Sequence, residues 1–207
     1  MNVLGLSFYY HDSSAALVQN GVLVAASAEE RFSRKKHDSG FPKLAIDFVL
    51  EMGGLTIHDV DYVVFYEKPF VKFERMLITA MSTFPRSSAV FRESMQRWIS
   101  DKLWIKSMMQ KRLGVPGSKL LFADHHMSHA AASFFTSPFE ESAILTVDGA
   151  GEWTTSMMAV GRGNKIDVVK EIRFPHSLGL LYSAFTAYCG FEINEGEYKL
   201  MGMHPYG

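Results

Sequence analysis

The sequence predicts an α/β protein in which one structural unit occurs twice. Short apolar runs of strand length alternate with amphipathic helical patterns in both halves of the 207-residue chain. Each half opens with an apolar strand that runs into a polar turn, over residues 2–7 in the first half and 144–148 in the second. Each half also contains a hairpin signal, Asn20-Gly21 and then residues 161–164. The same features in the same order predict an internal duplication.

The first half contains five predicted strands, residues 2–7, 14–19, 22–27, 61–66 and 119–123. A charged loop over residues 29–39 leads to a helix over about residues 42–52, which has proline in its first turn and apolar residues at helical spacing. Residues 70–113 are rich in Met, Phe, Arg and Trp at helical spacing, which predicts an inserted helical pair.

The second half repeats the order, with strands predicted over residues 144–148, 154–160 and 166–172 and a helix over about 177–189. Both halves thus have the order strand, turn, strand, hairpin, strand and helix, and the first half adds two further strands. This is the order of a ribonuclease-H-like unit. We expect a first subdomain over residues 1–140, with the insertion at about 70–113, and the start of a second over 141–207. The second copy stops before its fourth and fifth strands, which predicts a truncated second unit with an uncovered edge.

The composition is that of an ordinary globular protein, 47% hydrophobic and 21% charged. The net charge of −1 argues against nucleic acid or an anionic membrane as a partner. The chain has no run of 18 apolar residues and no signal-peptide pattern at its start. The single cysteine, Cys189, favours a reducing, cytoplasmic compartment, and its apolar helical context predicts a buried thiol.

His125 and His129 are candidate metal ligands. They stand four residues apart at the start of a predicted helix, so both imidazoles lie on one helix face. Imidazole nitrogens bind divalent ions at about 2.0–2.2 Å, so two such rings can share one ion. The helix follows a buried strand, and α/β folds place their ligands at the carboxyl ends of strands. The alternative, favoured for an isolated pair, is a histidine-rich helix start with surface side chains.

Asp148 is the candidate third ligand. It ends an apolar run and precedes Gly149 and Gly151. Glycines at such positions permit a positive φ and let a phosphate approach the main-chain N–H groups. An Asp-Gly pair after a strand usually indicates only a hairpin turn. Its position soon after the histidine helix favours a metal ligand beside a phosphate loop.

Five blocks of the sequence resemble one enzyme family. They follow the family's order over essentially the whole chain and comprise residues 10–16 (YHDSSAA), 28–37 (AEERFSRKKH), 125–131 (HHMSHAA), 147–152 (VDGAGE) and 199–207 (KLMGMHPYG). The blocks are similar to those of the O-carbamoyltransferases of nodulation-factor and antibiotic biosynthesis. Those enzymes resemble the tRNA threonylcarbamoyl-transfer protein and belong to the actin-like ATPase superfamily. They are longer than 207 residues and include a carboxyl-terminal domain that makes carbamoyl-adenylate from carbamoyl phosphate and ATP.

The resemblance implies that this amino-terminal domain transfers the carbamoyl group from carbamoyl-adenylate to an acceptor hydroxyl. A divalent ion held by His125, His129 and Asp148 would neutralise phosphate charge and hold the adenylate in place. The family metal is usually iron or another first-row ion, and mixed N/O ligands fit iron, manganese or zinc. The expected partners are carbamoyl phosphate, ATP and a small hydroxyl acceptor, with magnesium as a further cofactor candidate; an oligomer is left open.

The resemblance also assigns roles to four other residues. His11 would be a general base or orient the carbamoyl group, and Lys36 matches a lysine that handles the carbamoyl or phosphate group. Lys199 and Gly202 fall in a loop that borders the nucleotide in the family. The alternatives are that His11 caps a turn, the basic loop is solvated and Gly202 ends a helix. His126, on another face of the histidine helix, is expected to lie behind the ligands or to be exposed.

Two other functions compete with carbamoyl transfer. The duplicated fold alone suggests an actin-like sugar kinase or ATPase, but such kinases bind magnesium through carboxylates and need no paired histidines. A non-catalytic binding fragment is the other alternative, since the chain lacks the adenylate-forming domain. We expect the 207 residues alone to be inactive.

Overall fold

The computed structural model describes residues 1–10, 12–100, 102–194 and 196–206. The chain folds into two compact units, residues 1–124 and residues 125–207. The subdomain boundary predicted at 140/141 stays a prediction. The histidine helix, which precedes that boundary, belongs to the second compact unit.

The first unit is built on one mixed sheet. Its strands are β1 (Asn2–Ser7), β2 (Ser14–Gln19), β3 (Val22–Ala28), β4 (Tyr62–Phe65) and β5 (Leu120–Phe122). The strand order is β3-β2-β1-β4-β5; the pairs β1–β2 and β2–β3 are antiparallel, and the pairs β1–β4 and β4–β5 are parallel. Asn20 and Gly21 both have positive φ, 51° and 85°, as a tight hairpin turn requires. The ribonuclease-H-like order predicted from the sequence is confirmed.

The helices of the first unit are α1 (Glu30–Ser33), α2 (Lys43–Met52), α3 (Pro69–Ser82), α4 (Ser88–Ser100) and α5 (Ile105–Leu113). Helix α2 follows Pro42 as predicted, and it packs its apolar stripe on β2 and β3. Its residue Val49 is fully buried in the same core as Leu4, Leu17 and Val63.

Two helix predictions in this unit are wrong in detail. The insertion contains three α-helices in its described part rather than a pair, because the chain turns between residues 83 and 87 and breaks again before Ile105. The loop predicted over residues 29–39 contains the single-turn helix α1. Among the described residues, no helix combines the length and hydrophobicity needed to cross a membrane.

The second unit repeats the beginning of the first. Its elements are α6 (His125–Phe134), β6 (Glu141–Val147), β7 (Thr154–Arg162), β8 (Lys165–Arg173), α7 (Leu178–Tyr188) and α8 (Glu197–Met203). The sheet order is β6-β7-β8 with both pairs antiparallel, the arrangement that β1, β2 and β3 have. Helix α7 follows β8 as α2 follows β3. The predicted repeat is confirmed for these elements.

Helix α6 covers this second sheet. Ala130 and Phe134 of α6 are buried against Ile144 of β6 and Met157 of β7. A Cβ atom on Gly161 would lie 2.7 Å from the Phe134 ring, so only glycine fits beneath it. Cys189, in contrast to the prediction, is exposed, because the apolar residues at the end of α7 are themselves exposed in the described chain.

Candidate functional site

The amino terminus of α6 is fixed by the carboxylate of Glu152. Both oxygens of this carboxylate accept from the backbone N–H of His125, at 3.1 and 3.2 Å, and the side chain is buried. A carboxylate is stabilised at a helix amino terminus because the first N–H groups lack partners within the helix and carry partial positive charge. The contact fixes the first turn of α6, from which the predicted ligands project.

The three predicted metal ligands converge in the second unit. The Nε2 atom of His125 lies 2.6 Å from Oδ2 of Asp148, and Nε2 of His129 lies 3.4 Å from the same oxygen. The two Nε2 atoms are 3.1 Å apart. Ligand atoms bound to one ion at about 2.0–2.2 Å normally lie roughly 2.9–3.5 Å from each other. Two of the three distances fall in this range, and the shorter one, between His125 and Asp148, is a hydrogen bond that a divalent ion would replace.

The group has a buried side and an open side. The His125 side chain is 5% exposed, Asp148 is 35% exposed and His129 is 56% exposed. A structural metal site is closed by protein ligands, whereas a catalytic site keeps open positions for substrate or water. The exposure of His129 leaves such positions toward solvent.

Electrostatics keep Asp148 ionised. Hydrogen bonds from His125 first, and then from His129, hold the pKa of Asp148 far below its ordinary value, against the opposing effect of partial burial. The other carboxylate oxygen, Oδ1, accepts from the N–H of Gly149 at 2.6 Å. Asp148 is thus a carboxylate with Oδ2 directed at the two imidazoles, the protonation state that a metal ligand requires.

Gly149 and Gly151 follow Asp148 in the turn between β6 and β7. Neither Gly149 nor Gly151 has a positive φ, so neither uses the left-handed conformation that glycine permits. Gly151 packs closely against the histidine helix, because a Cβ atom there would lie 3.1 Å from Cβ of His125 and 3.1 Å from Cδ2 of His126, closer than most Cβ contacts. The phosphate-loop role of Gly149 and Gly151 stays a prediction.

His126 is buried behind the ligands rather than exposed. Its Nδ1 atom lies 2.7 Å from Oγ1 of Thr146 on β6. Burial is the main cause that lowers the pKa of His126, which favours the neutral ring. The side chain therefore fastens α6 to β6 and is not a fourth ligand of the group formed by His125, His129 and Asp148.

The loops that carry the two predicted catalytic residues meet in the first unit. His11 lies outside the described residues, but its neighbours are held to the basic loop. The N–H and Oγ of Ser13 each donate to the carbonyl of Asp38 at 2.8 Å, and the N–H of Tyr9 donates to the carbonyl of Ser39 at 2.8 Å. Lys36 is exposed on this loop. The structure thus joins the segments that flank His11 and Lys36.

A second cluster of possible ligand atoms lies on these loops, formed by Asp12, Glu30 and His37. Asp12 Oδ1 lies 2.9 Å from His37 Nδ1, and the N–H of His37 donates to Glu30 at 3.1 Å. These hydrogen bonds brace the turn next to Lys36.

Lys199 and Gly202 lie in helix α8, so the prediction that they fall in a loop is wrong. Glu197 is the first residue of this helix. Its side chain accepts from the N–H of Asn194 at 3.1 Å and from the hydroxyl of Ser183 at 3.0 Å. Lys199 is exposed, with Nζ 5.9 Å from the ring centroid of its neighbour Tyr198. Their role toward a nucleotide stays a prediction.

The sequence patterns do not predict the buried ion pair between Glu67 and Lys72. Lys72 Nζ on α3 lies 2.6 Å from Oε2 of Glu67, with the side chains 10% and 6% exposed, and 5.1 Å from the ring centroid of Tyr10. No sequence pattern marks this pair, because Glu67 lies in the loop after β4. Glu152 ends the block of residues 147–152 that resembles the family, but only the fold brings it to the start of α6.

Comparison with known proteins identifies related chains. The family model described as "Carbamoyltransferase N-terminus" matches residues 2–207. An uncharacterized protein of Synechocystis sp. is 53% identical over 213 residues, covering 100% of this chain and 35% of that protein. Nodulation protein NolNO of Sinorhizobium fredii is 33% identical over 204 residues, covering 96% of this chain and 28% of that protein. The chain thus spans about a third of the length of these relatives.

Among solved structures, the chain is similar to YeaZ from Pseudomonas aeruginosa, with 13% identity and a TM-score of 0.43. The matched region covers 84% of this chain and 66% of that one.

Proposed function

We propose, from the premise that this chain belongs to the family of carbamoyltransferase amino-terminal domains, that it carries the site at which a carbamoyl group is transferred to an acceptor hydroxyl. The observation that supports the proposal most is the convergence of His125, His129 and Asp148 on one point. The donor of the carbamoyl group would be carbamoyl-adenylate, made from carbamoyl phosphate and ATP.

His125, His129 and Asp148 would hold a divalent ion, and such an ion supplies positive charge next to a phosphate. Asp148 is already ionised and needs to lose no proton to serve as a ligand. Glu152 fixes the backbone from which His125 projects. The exposed side chain of His129 lies on the side from which a phosphate would approach.

The transfer step places demands on other side chains. The acceptor oxygen attacks the carbamoyl carbon, the bond from that carbon to the phosphate oxygen breaks, and AMP leaves with the bonding electrons. The acceptor proton must go to a base, for which we propose His11. Lys36 would place its ammonium group against the negative charge that develops on the carbamoyl or phosphate oxygens.

The test uses the full-length protein with carbamoyl phosphate, ATP and a mixture of hydroxyl-bearing sugars. Carbamoyl transfer predicts AMP that forms only when carbamoyl phosphate is present, with a carbamate ester visible by mass spectrometry. A sugar kinase would form ADP and a phosphorylated sugar without carbamoyl phosphate, and that outcome would refute the proposal. Asp148→Asn should lose product formation, whereas Asp167→Asn, an exposed change on β8, should not.

A further inference from the structure

We propose that Ser177 and Gly179, at the start of α7, position Asp148 as the third ligand of the metal site. This inference rests on the proposed function, because it concerns the same His125, His129 and Asp148 group. Neither residue touches the ligand atoms directly. Both act on the main chain that carries the Asp148 carboxylate.

The Ser177 hydroxyl joins α7 to the turn after β6. It donates to the carbonyl of Gly149 at 2.7 Å and lies 3.2 Å from the carbonyl of Asp148. The same oxygen accepts from the N–H of Leu180 at 3.0 Å, which makes Ser177 the N-cap of α7. A hydroxyl has one hydrogen to donate and lone pairs to accept, so a single serine serves both the helix and the turn.

Gly179 allows the helix to approach this turn closely. A Cβ atom at residue 179 would lie 2.5 Å from the carbonyl carbon of Asp148 and 2.6 Å from the nitrogen of Gly149. Cβ atoms are not found so close to backbone atoms, and backbone cannot move aside as a flexible side chain can. The first turn of α7 therefore packs against the peptide bond that follows Asp148, and any side chain at residue 179 would displace that bond.

Thr155 on β7 also holds the main chain around Asp148. Its carbonyl accepts from the N–H of Asp148 at 2.9 Å, and its hydroxyl donates to the carbonyl of His176 at 2.7 Å. Thr155 is fully buried. The N–H of Asp148 is thus bonded to β7, and the Ser177 hydroxyl lies at its carbonyl. The carbonyl of His176, next to Ser177, is held by the same strand through Thr155. Together these contacts fix the direction of the Asp148 carboxylate.

The consequence for the metal is quantitative. Residues that orient a metal ligand typically change affinity by about 10–100-fold when they are removed. Loss of the Ser177 hydroxyl should therefore weaken binding without removing any ligand atom. Insertion of a methyl group at Gly179 should weaken it further, because that change moves the backbone itself.

The test is Mn²⁺ binding to the full-length protein, measured by electron paramagnetic resonance and calorimetry. Ser177→Ala and Ser177→Gly should bind Mn²⁺ about tenfold more weakly or worse, and Ser177→Thr, which keeps the hydroxyl, should restore the affinity. Glycine is a tolerated N-cap residue, so Ser177→Gly separates the contact with the turn from the helix cap. The matched control is Ser183→Ala, which removes another hydroxyl of the same helix, one that donates to Glu197 at 3.0 Å.

The outcomes separate this inference from the proposed function. Wild-type affinity and an unchanged Mn²⁺ spectrum in both Ser177→Ala and Ser177→Gly would overturn the positioning role while leaving the metal site intact. A wild-type protein that binds no Mn²⁺ would overturn the metal site and the inference together.

Discussion

The Nε2 atom of His125 and the Oδ2 atom of Asp148 lie 2.6 Å apart although the residues are 23 positions apart in the chain. The contact joins the first turn of α6 to the end of β6. Packing of α6 on β6 and β7 brings these two ends together, and Glu152 fixes the helix turn in place. The candidate site is thus assembled by the second unit from its own elements.

Replacement of Glu152 by Gln should loosen the start of α6. The amide can still accept a hydrogen bond, but it lacks the negative charge that the helix terminus favours, so we expect a loss of about 1 kcal/mol in the free energy of unfolding. Denaturant unfolding measures the change. Glu192→Gln, an exposed change in the same unit, is the control and should have no effect.

The Glu67–Lys72 pair should respond differently to single and double substitution. Lys72→Met removes the ammonium group 2.6 Å from a buried carboxylate, which should cost about 3–5 kcal/mol in denaturant unfolding. Glu67→Leu combined with Lys72→Met removes both charges and should recover most of that loss. If the double variant is as unstable as the single one, the buried charge is not the cause. Lys43→Met, which breaks an exposed pair with Asp47, should leave unfolding unchanged.

Gly161→Ala should overpack the interface between α6 and the sheet. The added methyl would meet the buried Phe134 ring at 2.7 Å, and such strain typically costs about 1–3 kcal/mol. Gly202→Ala is the control, because nothing lies within 4 Å of its added Cβ and alanine favours the helix. The account of Gly161 is wrong if both variants are equally stable by thermal unfolding.

Acid should destabilise the metal-free protein partly through Asp148. Because the folded state lowers the pKa of this carboxyl, its contribution is fully present above the unfolded value of about 3.9 and is lost as the pH falls below it. Asp148→Asn removes the titrating group, so its stability should fall less steeply between about pH 5 and pH 2. Circular dichroism during acid titration checks the slope against Asp167→Asn. Equal slopes for wild type and Asp148→Asn would contradict the assigned hydrogen bonds.

The sequence was sufficient where local pattern decides structure. The Asn20-Gly21 hairpin could be predicted because the turn needs positive φ at both residues, and the spacing of His125 and His129 placed both on one helix face. Asp148 could be proposed as their partner because a strand end carries its side chain to the sheet edge.

Contacts between distant segments could not be predicted in this way. The hydrogen bonds that hold the main chain around Asp148 come from Ser177, at a helix start, and from Thr155, on a neighbouring strand. Gly151 lies in the turn between β6 and β7, and the sequence gives no sign that the turn packs closely against His125. The loop position of Lys199 and Gly202 follows from the family resemblance, and a seven-residue helix with no buried residue leaves little periodicity that could correct it.

Elemental analysis of the full-length protein shows whether His125, His129 and Asp148 hold a metal ion. Wild type purified with a divalent metal should retain a stoichiometric ion, and His129→Ala should lose it because one of three ligands is gone. His58→Ala, an exposed histidine of the first unit, is the matched control and should retain it. Equal metal content in His129→Ala and wild type would show that His125, His129 and Asp148 do not bind the ion.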